Sequence, residues 1–562
     1  MKLLRRIYYM LLYALPAVLF FSYYPVIRLG SSDSMNFELS LPLIWLVAFD
    51  VIAFVSLLVV PGNTFRHFSK PSREEQAATT ERAPREDGRA NGAKKSRQKV
   101  LLGISNKKFF LFSLFPFYAT ISILWSANST RAFLTAGITW LLFFAVFAII
   151  YITPLLNPVK SLQANLLKTF FISSAIICIV CWLQAILDVL GVGRETTLLC
   201  QGCVSQVFGF PHPSGFAIEP QFMGNLLLAP TLLSFWMLMR QHQRETTLFS
   251  RGSGVTTRKS GATLQRQASR TRLEKIGVVS LALLYSATLF LTFSRGAIYA
   301  FAAGLAVLLI FALIKHQFRP SLLAVPVVAF IFTLTMQGIF NVVGPTHGSF
   351  VSGVAKSVHQ LSLGIIDFRP QTPSQDNSDT ASENTSTFDG YIAESTDIRL
   401  NLNSAALKTW STTPKNALFG VGLGGAGTAL YENRAVTKVT SPKEIVQNQP
   451  LSLLLELGLV GVALVVFSLL LAFCPQIFPR KFVDGRSANA QPAPTFWQHP
   501  ALPLLLALII AYVITLQFFS GLPNALHIYL LPPLLYYLFL PNQPESVKIT
   551  KNSTSSLPKS QK

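Results

Sequence analysis

Long apolar runs separated by polar segments are the main pattern along this chain. Twelve runs can be placed, and each predicts a membrane-spanning helix because about twenty apolar residues cross a bilayer. The runs are continuous, whereas a membrane barrel would show short segments of alternating apolar and polar residues. The sequence therefore predicts an all-α polytopic membrane protein with about 12 transmembrane helices. The runs cover about residues 7–27, 41–60, 109–125, 132–152, 167–190, 218–239, 276–293, 297–314, 321–342, 449–474, 500–520 and 526–541.

Positively charged residues gather in alternate segments between these runs. If Arg5 and Arg6 lie inside the cell, the basic segments 62–108, 240–275 and 475–499 lie inside as well, in agreement with the positive-inside rule. Both termini are then cytoplasmic. The basic start resembles the beginning of a signal peptide, but no small-residue cleavage site follows it, so we interpret it as part of an uncleaved first helix.

The predicted organisation has one large extracytoplasmic loop that carries one or two short helices. Its second half has helical spacing, with Ile398, Leu402, Ala405, Leu407 and Trp410 sharing part of a face. The two long basic loops lack apolar periodicity, so we expect them to be disordered and to contact anionic lipid head groups. The parts are the first two transmembrane helices at 1–61, a basic cytoplasmic loop at 62–108, helices three to nine at 109–342 with a basic cytoplasmic loop at 240–275, the large extracytoplasmic loop at 343–448, helices ten to twelve at 449–541 and a cytoplasmic tail at 542–562.

Composition supports the membrane class and narrows the choice of partners. The chain has 562 residues, of which 51% are hydrophobic and 13% charged, whereas a soluble domain carries about 25% charged residues. The net charge of +22 would suggest nucleic acid in a soluble protein. Here most of the positive charge lies in the segments between apolar runs, so we expect membrane lipids and no nucleic acid as partners.

Two arginines on the outer face are the main candidates for chemistry. Arg295 lies in a tight turn between the seventh and eighth runs, where the charge bias disfavours a cation, so we favour a function over a snorkelling helix end. Arg399 taken alone is more simply a surface charge. Together the two guanidinium groups are suited to a diphosphate, because the planar fork binds phosphate oxygens bidentately and stays charged. Their separation in the sequence does not show whether they meet.

A glycine-rich segment and a carboxylate on the same side each have functional and structural interpretations. The segment from Gly420 through Gly422 to Gly425 is suited to cradle an anion with backbone N–H groups, but it is neither a Walker loop nor a dinucleotide fingerprint. The alternative is a tight turn that packs against the membrane core. Glu219 starts the sixth run, where it is a general base, a ligand for sugar hydroxyls or only a helix cap.

Other polar residues give weaker signals. Cys200 and Cys203 form one CxxC pair, which is too little for zinc and favours a local disulfide on an oxidising outer face. Asp50 is the charge deepest in a run, and a charge within a membrane is a functional candidate by default. We expect no metal site and no cofactor.

Three motifs in order resemble the O-antigen ligase and O-antigen polymerase superfamily of membrane glycosyltransferases. The resemblance covers roughly residues 105–540 and rests on the order of the motifs. They are Leu291-Thr292-Phe293-Ser294-Arg295-Gly296, similar to a Ser-Arg-Gly turn; Arg399, Trp410 and the run Phe419-Gly420-Val421-Gly422-Leu423-Gly424, similar to an Arg, Trp and Gly-Val-Gly series; and Asn448, Leu451, Glu456, Gly458 and Gly461, similar to a His-Asn helix start followed by Glu-x-Gly.

The resemblance implies a GT-C-like fold in the cell membrane and a metal-independent, inverting transfer at its outer face. The donor would be a glycan on a polyprenyl diphosphate, and the acceptor hydroxyl would belong to a glycan, a lipid or a protein. Arg295 and Arg399 would neutralise the diphosphate. The resemblance also implies catalytic roles for Glu219 and Gln447, and substrate contacts at Trp410, Gly420, Gly422 and Asn448.

Two positions depart from the family pattern and keep other functions open. Gln447 stands where the family usually has His, and Gln206 stands near a family arginine. Glutamine orients a hydroxyl by hydrogen bonding but cannot take its proton, so either another group, such as Glu219 or Glu394, assists or the acceptor chemistry differs. The alternatives are a polymerase of lipid-linked glycan repeats, a transporter or flippase of lipid-linked sugars, and a non-catalytic scaffold of envelope assembly. A flippase would show matching halves and ionisable residues at mid-membrane, of which only Asp50 is clear.

Overall fold

The described part of the chain is almost entirely helical. The computed structural model describes residues 2–22, 26–31, 36–67, 110–153, 156, 162–192, 211–252, 261–344, 347–362, 398–433, 442, 446–473, 501–519 and 525–539. In chain order, the elements are α1 (Lys2–Phe20), β1 (Val26–Ser31), β2 (Asn36–Ser40), α2 (Leu41–His67), α3 (110–121, continued by a 3-10 turn at Ser122–Trp125), α4 (Ser129–Phe147, continued by a π-helical turn at Ala148–Ile152), α5 (Leu162–Val189), α6 (Pro220–Gly252), α7 (Gly261–Leu291), α8 (Arg295–Ile314), α9 (Ser321–Val343), α10 (Phe350–Leu361), α11 (398–411), α12 (Pro414–Phe419), α13 (Ala426–Glu432), α14 (Gln449–Phe473), α15 (Leu502–Thr515) and α16 (Leu526–Leu538).

Within these ranges, nine helices are long and apolar enough to cross a membrane. They are α1, α2, α4 to α9 and α14, and three shorter apolar helices accompany them, namely α3 with its turn, α15 and α16. Every apolar run found in the sequence therefore coincides with an apolar helix. This confirms an all-α, multi-pass membrane protein, with one small exception at β1 and β2.

The core of the bundle surrounds α6, most of which is buried. Outer helices instead present apolar side chains away from the protein. On α5, for example, Ile172, Ile176, Ile179 and Leu183 follow one another at helical spacing and are about half exposed. Such a stripe would be unfavourable in water but suits contact with lipid chains, which is the solvent that the apolar runs predict.

Several of the long helices alternate in direction, so that two ends of the bundle can be distinguished. At one end, Val189, Leu291 and Phe340 meet in one apolar cluster, so α5, α7 and α9 finish together. At the other end, the Tyr8 and Thr153 hydroxyls lie 2.7 Å apart, which joins the start of α1 to the residue after the π-helical turn that continues α4. We refer to the first of these as the site end, because the candidate residues lie there.

Two expectations about element boundaries are wrong. Residues 240–252 and 261–275 do not belong to a disordered loop, because α6 continues to Gly252 and α7 begins at Gly261. Arginine, lysine, glutamine and leucine are good helix formers, so a helix continues after its sequence stops being apolar. Hydropathy marks where a helix leaves the membrane and not where the helix ends.

A small antiparallel hairpin was also missed. β1 pairs with β2 in a register that places Val26 opposite Ser40, with an irregularity between Arg28 and Gly30. The first apolar run was expected to continue as helix to about residue 27, but α1 ends at Phe20. The hairpin was missed because each of its strands is only five or six residues long, and such short segments carry a weak local signal.

The region between α9 and α14 contains four described short helices, α10 to α13, rather than one or two. On α11 the predicted face is partly correct. Leu402 and Ala405 are buried, but Ile398 and Leu407 are exposed and Ala406 is fully buried instead. The buried stripe is therefore rotated slightly from the one that hydrophobicity alone selected.

Candidate active site

Arg295 is held in place by the turn that starts α8. The Ser294 side chain caps the helix by accepting the N–H of Ala297, and Phe293 adopts a left-handed backbone with a φ of 50°. A Cβ on Gly296 would lie 3.1 Å from the ring of Phe518, so the first turn of α8 packs tightly against the chain after α15. Arg295 itself is half-buried at the site end.

His212 supports the same turn from the segment before α6. Its ring lies 5.5 Å from the ring of Phe293, and its side chain hydrogen-bonds the backbone of Thr292. Burial lowers the pKa of His212 to about 3, so the imidazole is neutral and a weak base. His212 was not among the candidates from sequence, and no local pattern marks it.

Glu219 lies beside this turn at the start of α6. It is exposed, and two residues later the Gln221 side-chain amide donates to the backbone carbonyl of Phe518 over 3.0 Å. One turn further along α6, Gly224 packs directly on Ser294 of the α8 turn. Glu219 and Arg295 therefore start neighbouring helices at the same end of the bundle.

Gln447 and Asn448 directly precede α14, which begins at the same end of the bundle. Asn448 accepts the N–H of Leu451 over 3.1 Å, which caps the helix, and its amide donates to Gln517 over 3.4 Å. The N–H of Gln449 donates to the carbonyl of Leu516 over 2.8 Å. Gln447 is exposed beside these contacts. The start of α14 is thus tied to the end of α15.

The turn at residues 516–519, which we name the 516–519 turn, is shared by the three helix starts. Gln221 of α6, Gly296 of α8 and Gln449 of α14 all contact it. The structure thereby brings together Glu219, Arg295, Gln447 and Asn448, which lie far apart in the sequence. Nothing in the local sequence of 516–519 signals this role.

Arg399 lies on α11, which packs beside the start of α14. α11 buries Leu402, Ala405 and Ala406 in a cluster that also contains Val446 and Leu451, the residues on either side of Gln447 to Pro450. Arg399 is half-buried and precedes Leu402 by one helical turn, so it belongs to the face of α11 that packs on α14. Arg399 and the other candidates thus share the surroundings of the α14 start.

Trp410 has a structural contact within the outer helices. Its indole N–H donates to the carbonyl of Ala417 over 3.1 Å, and the Asn416 amide donates to the carbonyl of Thr409 over 3.3 Å. These bonds join α11 to α12. Trp410 therefore helps to hold two helices together. A substrate contact at Trp410, as expected from the sequence, would use a side chain that already has this structural role.

The glycine turn, residues 420–425, packs against α14 and the end of α3. The N–H of Gly420 donates to Asn416 and that of Gly422 to the carbonyl of Glu456, the latter over 2.9 Å. Gly422 has a φ of 92°, and a Cβ there would overlap the backbone of Ser126. Both N–H groups are engaged within the chain, so this geometry favours the reading of a packed turn over that of an open anion cradle.

Several sequence-based expectations lie outside the described residues. These are the Cys200 and Cys203 pair, Gln206, Glu394, most of the basic loop 62–108 and the tail 542–562. Asp50 is described and is buried in α2, where its carboxylate has no hydrogen-bond partner among the described residues. The described ranges contain no group of three or more His, Cys, Asp or Glu residues that could hold a metal ion.

Fold and site together define a multi-pass helical membrane protein with polar and cationic residues gathered at one end of its bundle. Residues 280–466 match the family model described as O-Antigen ligase. The match runs from the last part of α7 into α14, and so includes Arg295, Arg399, the glycine turn and the start of α14. This match confirms the resemblance to the O-antigen ligase superfamily over these residues. No curated protein matches the chain.

Proposed function

We propose that this protein transfers a glycan from a polyprenyl-diphosphate carrier to an acceptor hydroxyl at the outer face of the cell membrane. The observation that carries the proposal is the convergence on the 516–519 turn. Glu219, Arg295 and Asn448 lie at the starts of three helices that contact this turn. The helix that carries Arg399, α11, packs its buried face against residues on either side of the start of α14. Family members act on lipid-linked glycans and acceptors in the membrane, which supports this class of substrate.

The proposed step is a displacement at the anomeric carbon. The acceptor oxygen forms a bond to that carbon while the bond to the diphosphate oxygen breaks, and the configuration inverts. The leaving diphosphate takes the electron pair and gains negative charge. Arg295 and Arg399 stabilise this charge, because fixed guanidinium groups bind phosphate oxygens in a forked geometry and need no reorganisation. The arginines thereby supply the neutralisation for which other enzymes use a metal.

A group other than Gln447 has to take the proton of the acceptor hydroxyl, because glutamine is not a base. We assign this role to Glu219, the exposed carboxylate that starts α6 beside the Arg295 turn. His212 is too weak a base for this role because its pKa is about 3. Gln447 and Asn448 then orient the hydroxyl or a diphosphate oxygen by hydrogen bonding.

The membrane arrangement that we propose has all twelve apolar helices crossing the bilayer and both termini in the cytoplasm. The alternating helix directions support this arrangement, because they put the starts of α6, α8 and α14 at one end. The basic segments between the apolar runs then fall at the other end, as the positive-inside rule expects. The site end is accordingly extracytoplasmic.

Replacement of the two arginines tests the proposal. Arg295→Ala and Arg399→Ala should each lower transfer from a polyprenyl-diphosphate glycan in membrane vesicles by about 100- to 1,000-fold, the cost of losing one stabilising donor at a developing charge. Arg319→Ala is the control, since Arg319 lies between α8 and α9, at the opposite end. Full transfer by both site variants would reject the proposed site.

A ligase and a polymerase would use the same residues and differ in their acceptor. The superfamily that the chain resembles includes both activities, so the products have to separate them. Transfer onto a lipid or protein acceptor gives one added glycan per acceptor, whereas polymerisation gives a ladder of repeat lengths on the carrier lipid.

A further inference from the structure

Helix α14 is broken within its apolar sequence. Gly458 has a φ of 64° and a ψ of −170°, values outside a helix, so the residues before and after it form two separate helical segments. The backbone carbonyls just before the break lose their partners within the helix. In a membrane such groups must be satisfied by other parts of the protein.

Donors from two other segments satisfy the carbonyls at the break. The N–H of Val421 donates to Leu455 and that of Gly422 donates to Glu456, each over 2.9 Å. The Tyr118 hydroxyl of α3 donates to the carbonyl of Leu457 over 2.9 Å. The glycine turn and α3 therefore complete the hydrogen bonding that α14 gives up.

The backbones meet too closely for any side chain at the break. A Cβ on Gly458 would overlap the carbonyl of Leu418 in α12. The left-handed φ of Gly458 also favours glycine. The break is thus a built contact between α14 and the outer helices, and not a local irregularity of one helix.

Glu456 adds a polar side-chain contact at the same place. Its carboxylate accepts the backbone N–H groups of Gly424 and Ala426 and is attracted by the Arg131 guanidinium at the start of α4. Successive N–H groups in a glycine-rich turn form a concave site suited to an anion. In this structure the group that occupies the site is the carboxyl group of Glu456, which belongs to the chain itself.

We propose that Glu456 is a positioning residue whose carboxylate fixes the glycine turn and, through it, the helix that carries Arg399. Ala426 is the first residue of α13, and it packs with Leu430 against Leu402 and Ala406 of α11. The contacts run without a gap from Glu456 to α13, then to α11 and Arg399. The role in positioning Arg399 rests on the proposed function, while the role in holding the turn does not.

Hydrogen exchange on the full-length protein in detergent tests whether Glu456 fixes the glycine turn. Amides 421–426 should exchange about tenfold faster in Glu456→Ala than in wild type, because loss of the acceptor leaves buried N–H groups unpaired, at a cost of about that factor. Glu456→Gln keeps an acceptor oxygen and should lie between them. Glu432→Gln is the matched control, since Glu432 is exposed at the end of α13. Unchanged exchange in Glu456→Ala would overturn the proposal.

A double-mutant cycle checks the partner of Glu456. Arg131→Gln should also speed exchange of the turn, and the Arg131→Gln/Glu456→Gln double variant should show less than the product of the two single effects, as expected for residues in direct interaction. Independent effects would remove Arg131 from the proposal.

Binding of inorganic pyrophosphate separates this inference from the proposed function. Glu456→Ala should weaken pyrophosphate binding about tenfold, with partial recovery in Glu456→Gln and no change in Glu432→Gln, because a displaced Arg399 loses a forked contact. Faster exchange with unchanged pyrophosphate affinity would overturn the role in positioning Arg399. If the wild type neither binds pyrophosphate nor transfers glycan, the proposed function is wrong, and the exchange rates still decide whether Glu456 holds the turn.

Discussion

Gly224 of α6 lies against Ser294 so closely that a Cβ at position 224 would come within 2.9 Å of the Ser294 Cβ. Ser294 caps α8, and the next residue is Arg295. The absence of one side chain on α6 therefore decides how near the starts of the two helices can approach. Because α6 also contacts the 516–519 turn through Gln221, this contact helps to set the position of Arg295 relative to the start of α14.

Gly224→Ala should displace the start of α8 and lower glycan transfer about tenfold or more, since a small misplacement of a catalytic group is costly. Overpacking should also lower the stability of the protein by about 1–3 kcal/mol. Transfer in vesicles and thermal unfolding in detergent measure the two effects. Gly277→Ala is the control, because a Cβ there meets nothing within 4 Å. Equal transfer by the two variants would contradict the importance of this contact.

Gly422→Ala should destabilise the protein through the glycine turn. The left-handed backbone costs a side chain about 1–2 kcal/mol, and the added Cβ would overlap the backbone of Ser126. Thermal unfolding should therefore shift to lower temperature. Gly137→Ala in α4 should instead be neutral or stabilising, because that position is open and helical and alanine favours a helix. A lower unfolding temperature for Gly137→Ala than for Gly422→Ala would be inconsistent with this account of the turn.

Gln447→His should add a proton acceptor at the start of α14. An unperturbed imidazole has a pKa of about 6.5, and only its neutral form accepts a proton. Any gain in transfer should therefore appear as pH rises through that value and be lost in acid. The measurement is a pH profile of transfer for the wild type and the variant. Absence of transfer in both proteins at every pH would favour the non-catalytic scaffold over the enzyme.

His212 should make stability depend on pH in the acidic range. Its pKa is lowered to about 3 by burial, whereas an unfolded histidine titrates near 6.5, about where model peptides do. Between these values the unfolded state binds more protons, so stability rises with pH, and it is fully present only above about 6.5. His212→Gln should flatten the slope of unfolding free energy between pH 4 and 6.5, by about 1.4 kcal/mol per pH unit at most.

His347→Gln is the matched control for this pH dependence, since His347 is exposed in the segment between α9 and α10. It should leave the slope as in wild type. An identical slope in wild type and His212→Gln would mean that burial of His212 does not control acid stability.

α11 shows how far local spacing can predict a buried face. Leu402 and Ala405 were chosen correctly because a helix places residues three and four apart on one side. Ile398 and Leu407 were chosen for their hydrophobicity, yet both are exposed, and the small Ala406 is fully buried. Which side of the stripe meets α13 and α14 depends on the packing of those helices, and the sequence of α11 contains no information on it.

The glycine turn shows a different kind of limit. Its composition indicated a backbone that can approach another group closely, and this is what the structure contains. Composition did not indicate whether that group is a substrate phosphate or Glu456 of the chain, because both present acceptor oxygens that suit the same row of N–H groups.

The sequence by itself determined the membrane class, the apolar helices and the resemblance to a family, because hydropathy and motif order are local properties that can be read along the chain. Only the tertiary structure decided that three helix starts meet at the 516–519 turn and that the glycine turn fills the break in α14. Val421 and Leu455 come from separate segments, as do Gln221 and Phe518. Contacts of this kind depend on how the helices pack against one another, and no pattern within one segment encodes them.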